Sequence, residues 1–319
     1  MSAFRRTSQV RLKPDTTYPA VFASSPANIE FPVVADIPPV RPAATVIVLR
    51  DTVAGPEVFL VRRHHAVAFM AGAHVFPGGR VDDGDHSADA SWCDGVAEAS
   101  SKLPGVAADA ALAFHVAAAR ELFEEAGVLL ARDASGRHVS MADPADHNRF
   151  KAHRAELNAR RRTLREIVET ERLRLALDQL VHYAHWVTPP VDVRRFDTRF
   201  FVTRVPQHQT PVHDDGETTD SVWIRPAEAI AAAGRGDIVL PPPTRASLRE
   251  LDRFTSVEAA LVWAHTRTVY RREPRVTADA DGTRRMVLPG DPTLPEPEPV
   301  AFETRFVFAD GRWNPEPES

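Results

Sequence analysis

The stretch AARELFEEAGVL, Ala118 to Leu129, decides how the rest of the chain is read. Glu121, Glu124 and Glu125 stand at i, i+3 and i+4, a spacing that puts all three on one face of an α-helix about one turn apart. Crowded carboxylates repel each other unless a cation offsets the charge. Mg²⁺ and Mn²⁺ are cations that prefer such hard oxygen ligands. The opposite face supplies Val116, Ala119 and Leu122 to a core. Gly127 is placed to end the helix, expected over residues 113–126, and Val128-Leu129-Leu130 returns to the interior. Glutamate is also a good helix former, so a plain solvated face is the competing reading. The surroundings decide between the two.

Upstream lies Phe76-Pro77-Gly78-Gly79. Before it, AATVIVL (Ala43 to Leu49) is nearly all apolar and rich in β-branched residues, as expected of a strand buried on both faces. Glu57 to Val61 reads as a second strand ending in Arg62-Arg63, and the turn from Asp51 to Pro56 joins the two as a hairpin. Together these pieces predict a metal site between a glycine-rich loop and an acidic helix.

The 319 residues and 43% hydrophobic content allow one large domain or two modest ones with a real core. A net charge of −5 gives no bulk attraction to nucleic acid. The single cysteine, Cys93, leaves no intrachain disulfide framework and no cysteine-rich zinc site. No apolar run reaches the roughly 18 residues of a membrane span. The N-terminus has no apolar signal core and the C-terminus no peroxisomal address, so no membrane association and a cytoplasmic location are expected.

Residues 1–41, punctuated by prolines, read as an extended arm. The main domain is expected over 42–265, with a surface insertion at 86–112 and a charged helical segment at 144–180. A β-rich C-terminal extension over 266–319 would pack on it, with hairpin turns at Asp281-Gly282 and Asp310-Gly311. No chemical role is assigned to the extension. Arg160-Arg161-Arg162 reads as a solvated face balanced by Glu156, Glu166, Glu169 and Glu171. His64, His65 and His74 show no zinc spacing, and His182 and His185 read as packing or hydrogen-bonding residues beside Trp186.

With these residues in place the chain resembles the Nudix hydrolases. Their motif is Gly, five residues, Glu, seven residues, then Arg-Glu-apolar-x-Glu-Glu-x-Gly-apolar. The second half is intact from Arg120 to Val128. The first half begins at Gly79, but Asp85 replaces the family's Glu, and 34 residues separate Asp85 from Arg120. A loop insertion between fixed anchors adds little closure entropy. The run from Phe69 to Gly79 is similar to that of the long-insert peroxisomal coenzyme A diphosphatases. So are Trp186-Val187-Thr188-Pro189, Arg195-Phe196-Asp197-Thr198-x-Phe200-Phe201 and Pro242-Pro243-Thr244. The coenzyme A motif of other diphosphatases is matched at Arg63 and from Gly72 to Gly79, but Ala68 stands where it has arginine.

The resemblance implies an α/β fold, a Nudix-type α/β/α sandwich with a mixed sheet, and hydrolysis of a nucleoside diphosphate linked to another group, coenzyme A or acyl-coenzyme A among the candidates. Alternatives are a dinucleoside polyphosphate, a nucleotide sugar or a capped nucleotide as substrate, or a non-catalytic nucleotide-binding module. Glu121, Glu124 and Glu125, with the Gly79 carbonyl, are the implied ligands of Mg²⁺ or Mn²⁺. Glu124, Glu125, Arg120 and Glu217 are the candidate catalytic residues, Arg120 by pairing with a carboxylate and Glu217 as general base or else an exposed loop acid. Arg63, Gly78 and Gly79 are the candidate substrate-binding positions. Asp85 is either a structural replacement for the family glutamate or a solvated acid. Homodimerisation is a further expectation.

Overall fold

The computed structural model describes residues 37–64, 72–214, 216, 218–294 and 300–316. Two long strands open it, β1 (Val40–Thr52) and β2 (Gly55–Arg63), antiparallel and in register to Thr52↔Gly55. Short strands β3 (His74–Val75) and β4 (Gly78–Arg80) follow, then β5 (Cys93–Asp94), α1 (Val96–Ser101) and α2 (Ala108–Ala126). Next come β6 (Ala131–Arg132), α3 (Pro144–Asn158), α4 (Leu164–Thr170) and β7 (Arg174–Ala176). Strands β8 (Val181–Val187), β9 (Arg195–Arg204) and β10 (Thr218–Ile224) lead into α5 (Pro226–Arg235), α6 (Pro242–Leu251) and α7 (Val257–Thr266). The chain closes with β11 (Arg271–Arg272), β12 (Arg275–Ala278), β13 (Arg284–Val287), β14 (Arg305–Ala309) and β15 (Arg312–Pro315).

The main sheet runs β10-β2-β1-β9-β8-β11, with β3 on β2 and β4 on β1. It is mixed, as expected: β1 pairs antiparallel with β2 and parallel with β9. Alternation along β1 explains the layers, because successive side chains leave opposite faces of a strand. Ala44, Val46 and Val48 enter one core with α2, while Ile47 and Leu49 enter a second core with residues of α5, α6 and α7. That is the α/β/α sandwich, with the apolar run of β1 at its centre.

Helix α2 begins five residues earlier than the sequence pattern implied and stops where expected. Gly127 takes φ 68°, a left-handed conformation that favours glycine, and its N–H donates to the Phe123 carbonyl at 3.0 Å.

Two expectations need correction. The insertion at 86–112 is not a surface loop. Trp92, Cys93, Ala99 and Leu103 are buried in the α2-side core, and β5 joins β7 and β6 in a small three-stranded sheet. The segment 144–180 is α-helical only to Thr170, with a single 3-10 turn at Leu177–Gln179. Arg160 and Arg172, at φ 54° and 55°, each sit just past a helix end in a left-handed turn. Between Thr170 and the 3-10 turn, Leu175 sits in the short strand β7, Arg174–Ala176, where helix was expected. In the arginine run, Arg161 pairs with Glu156 at 2.7 Å and Arg162 donates to Thr170 and to the Glu166 carbonyl.

The C-terminal strands form a four-stranded sheet, β12-β13-β14-β15, with both anticipated hairpins. Met286, Leu288, Phe302 and Phe306 enter the second core. Glu303 ties this region to α6 by accepting from Arg245 at 2.9 Å and Arg249 at 2.6 Å. Among the described residues no helix is long and apolar enough to cross a membrane.

Candidate active site

Strand β4 carries the glycine loop along the edge of β1, pairing Thr45 with Gly78 and Ala44 with Gly79. A side chain would meet a neighbour at either glycine, backbone at Gly78 and the end of a side chain at Gly79. A Cβ on Gly78 would lie 2.4 Å from the Ala44 carbonyl oxygen, and one on Gly79 would lie 2.4 Å from Glu121 Oε1. The loop is therefore pressed between the sheet and the acidic face of α2. The Gly78 N–H donates to Glu125 Oε2 at 2.8 Å, so the two halves of the motif meet directly.

Arg120 organises the other acids. Its Nε donates to Asp85 Oδ1 and its Nη2 to Asp85 Oδ2, each at 2.9 Å. Nη1 donates to Glu121 Oε1 at 2.8 Å and Glu124 Oε2 at 2.7 Å, and Nη2 also reaches the Arg80 carbonyl at 2.8 Å. Burial alone would depress the Arg120 pKa; Asp85, Glu121 and Glu124 outweigh it and raise it further. Asp85 is 2% exposed and also accepts from the Asp82 N–H, which settles its two readings in favour of the structural one. Burial raises the pKa of Glu124 against the pull of Arg120.

Among the described residues, no three His, Cys, Asp or Glu side chains already converge as a metal cage. Glu121 and Glu124 instead share one guanidinium. The donor chemistry still fits a hard divalent cation: every acidic group is a carboxylate, and the Gly79 backbone abuts Glu121 with no side chain between. The half-buried Glu124 is also a group whose ionised form a cation would favour.

Beside this network opens a cavity of about 230 Å³. Gly78, Thr45, Arg63, Trp186, Phe196 and Pro243 line it, and Gly78 is the lining residue whose N–H meets Glu125. Three of the segments singled out in the sequence, those beginning at Trp186, Arg195 and Pro242, meet here. Arg195 fixes one rim, donating to the Thr188 carbonyl at 3.0 Å and to Glu273 at 2.6 Å. His185 bonds Asp197 at 2.8 Å and His182 is buried against Phe201, both in supporting roles. His74 is buried in β3. His65, Ala68 and Glu217 lie outside the described residues.

The sequence left the C-terminal extension without a role, yet Pro274, Met286 and Trp313 line the same cavity. No local pattern could have revealed this. Their placement depends on how a distant sheet packs.

Comparison with known proteins agrees with this geometry. The family model of the NUDT19 Nudix domain matches residues 95–253. The acyl-coenzyme A diphosphatase NUDT19 of Gallus gallus is 31% identical over 79% of this chain and 76% of its own length. That of Xenopus laevis is 26% identical over 79% of this chain and 74% of its own. A crystal structure of a NUDIX hydrolase from Alicyclobacillus acidocaldarius covers 71% of this chain and 97% of its own at 26% identity, with a TM-score of 0.56. With an uninterrupted acidic half-motif, a glycine loop seated on it and relatives that align over most of their length, the chain belongs to the Nudix hydrolase family and is a Nudix-type diphosphatase.

Proposed function

We propose that this enzyme cleaves the pyrophosphate of coenzyme A-type substrates, free or acylated, with Mg²⁺ or Mn²⁺ bound at Glu121, Glu124 and Glu125 and at the Gly79 carbonyl. The observation that carries the reading is Arg63. Its Nε is buried with no hydrogen-bond partner among the described residues, and Arg63 lines the cavity alongside Gly78. An unsatisfied buried donor costs about 1–3 kcal/mol, which an incoming phosphate oxygen would relieve. The relatives named acyl-coenzyme A diphosphatase support the choice of coenzyme A among nucleoside diphosphate derivatives.

The chain's own residues divide the work. Gly78 and Gly79 let the pyrophosphate approach the acidic face without side-chain obstruction. Arg120 holds Glu121 and Glu124 in register, and Asp85 holds Arg120. The divalent cation supplies neutralisation of the charge on the phosphoryl oxygens and activation of water. Glu217 is our candidate to take the proton from the attacking water.

The test is a panel of substrates offered to the purified protein with Mg²⁺ or Mn²⁺: coenzyme A, acyl-coenzyme A, dinucleoside polyphosphates, nucleotide sugars and capped nucleotides. We expect release of 4′-phosphopantetheine or its acyl form together with adenosine 3′,5′-bisphosphate. Turnover of another member without either coenzyme A compound would replace the substrate assignment, and no turnover at all would favour a nucleotide-binding module.

A further inference from the structure

A second unsatisfied donor belongs to a residue that lines the cavity. Trp186 is 3% exposed, lines the cavity, and its Nε1 has no hydrogen-bond partner among the described residues. Both unsatisfied atoms that belong to lining residues, Arg63 Nε and Trp186 Nε1, are therefore donors. A ligand that fits must bring acceptors to both and apolar surface between them. The lining also carries the Asp192 carboxylate, an acceptor that an amide N–H can meet. A chain of methylenes carrying amide carbonyls, with a phosphate at one end, matches this lining well. The wall facing that chain would come from the C-terminal extension, through Pro274, Met286 and Trp313. Glu303 anchors this wall to α6, whose first residues Pro242, Pro243 and Thr244 line the same cavity.

We infer that this cavity holds the amide-bearing arm of the substrate, with the Trp186 indole N–H donating to an amide carbonyl and Trp313 closing the apolar wall. The C-terminal sheet is thus a specificity element of the active site. The inference rests on the coenzyme A reading above and deepens it by placing the two halves of that substrate: the arm in the cavity and the adenosine half outside it.

The experiment measures binding of 4′-phosphopantetheine and of adenosine 3′,5′-bisphosphate by calorimetry in EDTA, for the wild type and for Trp186→Phe, Trp313→Ala and Trp313→Phe. Steady-state kinetics on coenzyme A with Mg²⁺ run in parallel. Losing one hydrogen bond to an amide should weaken phosphopantetheine binding about tenfold in Trp186→Phe. Trp313→Ala should weaken it comparably, and Trp313→Phe should restore most of it. Adenosine bisphosphate binding should not change, and the kinetic loss should fall on KM rather than kcat. The Trp313 variants alter a half-buried hairpin residue, so they stand even if Trp186→Phe fails to fold. Hydrolysis of coenzyme A with phosphopantetheine binding unaltered in the folded variants, or with adenosine bisphosphate binding weakened instead, would overturn this inference alone. Failure of the wild type to hydrolyse any coenzyme A compound while it cleaves another nucleotide would overturn both.

Discussion

Arg120 and Asp85 meet through two hydrogen bonds of equal length, Nε to Oδ1 and Nη2 to Oδ2 at 2.9 Å, although 34 residues lie between them. The whole insertion, with α1 and β5, folds between these partners and leaves their geometry intact. A shorter acid thus occupies the place of the family glutamate and reaches the arginine in a bidentate fork, the strongest geometry open to such a pair. Asp85 acts on the acidic helix only through Arg120, which in turn holds Glu121 and Glu124.

Asp85→Asn should therefore cost stability and activity together. Removing one partner of a buried pair typically costs about 3–5 kcal/mol, and Arg120 keeps two carboxylates, so a loss nearer 2–3 kcal/mol is expected. Denaturant unfolding in EDTA measures it. Turnover should fall because the guanidinium would draw Glu121 and Glu124 more closely to itself. Unchanged stability would remove Asp85 from the framework.

The two glycines should part company on substitution. In Gly78→Ala the new methyl meets backbone, the Ala44 carbonyl at 2.4 Å and Thr45 Cα at 2.7 Å, so β4 must leave β1. Overpacking of this kind costs about 1–3 kcal/mol. In Gly79→Ala the methyl meets the carboxylate of Glu121, the end of a rotatable side chain. The fold should survive with a melting temperature near that of the wild type, while turnover collapses because Glu121 is pushed off its position. Equal melting losses in both variants would contradict the contrast.

How much of this was legible in the sequence follows from the range of the forces involved. The run AATVIVL announced a strand buried on both faces, and Gly127 announced the helix end, because period and backbone freedom are local properties. The acidic trio was legible for the same reason. Asp85 was visible as a residue but not as a partner of Arg120, since only folding of the insertion brings the two together. Trp92, Leu103 and the leucines from 173 to 177 were assigned to a surface loop and a helix. Their burial depends on pairing β5 with β7, a tertiary event across about 80 residues. Met286 and Trp313 gave no local sign of reaching the cavity.

Acid should unfold the protein through two buried histidines. His115 is fully buried and its Nδ1 lies 2.7 Å from the Ala111 carbonyl; burial depresses its pKa from 6.5 to about 4. Burial, reinforced by Arg199 and His185, takes His182 down to about 3. A base with a lowered folded pKa stays neutral in the native state while the unfolded chain gains a proton below 6.5. Its contribution is complete above pH 6.5 and is lost as pH falls towards the folded value. Between pH 7.5 and 5 each histidine should remove roughly 2 kcal/mol. His115→Gln, whatever its own cost, should reduce that slope by about half, measured as unfolding free energy against pH; an unaltered slope would show that His115 does not titrate in this way.

Glu124 should show the opposite sign, and with it the conflict between stability and chemistry at this site. Burial raises its pKa above 4.5 despite Arg120. A carboxyl of that kind is bound to its proton more tightly in the folded state, so stability falls as pH rises from 4.5 through the raised value. In EDTA at pH 7, Glu124→Gln should therefore melt higher than the wild type, since the amide oxygen can still accept from Arg120 Nη1. The gap should close as pH approaches 4.5. Mg²⁺ should reverse the order: a ligand at 100 times its dissociation constant stabilises by about 2.7 kcal/mol, and the variant lacks the charge to bind it equally. Turnover should fall by roughly a thousandfold or more, the scale of removing one ligand that serves charge neutralisation. A wild type that outmelts the variant in EDTA would mean that Arg120 already compensates the half-buried charge in full, leaving the cation nothing to offset.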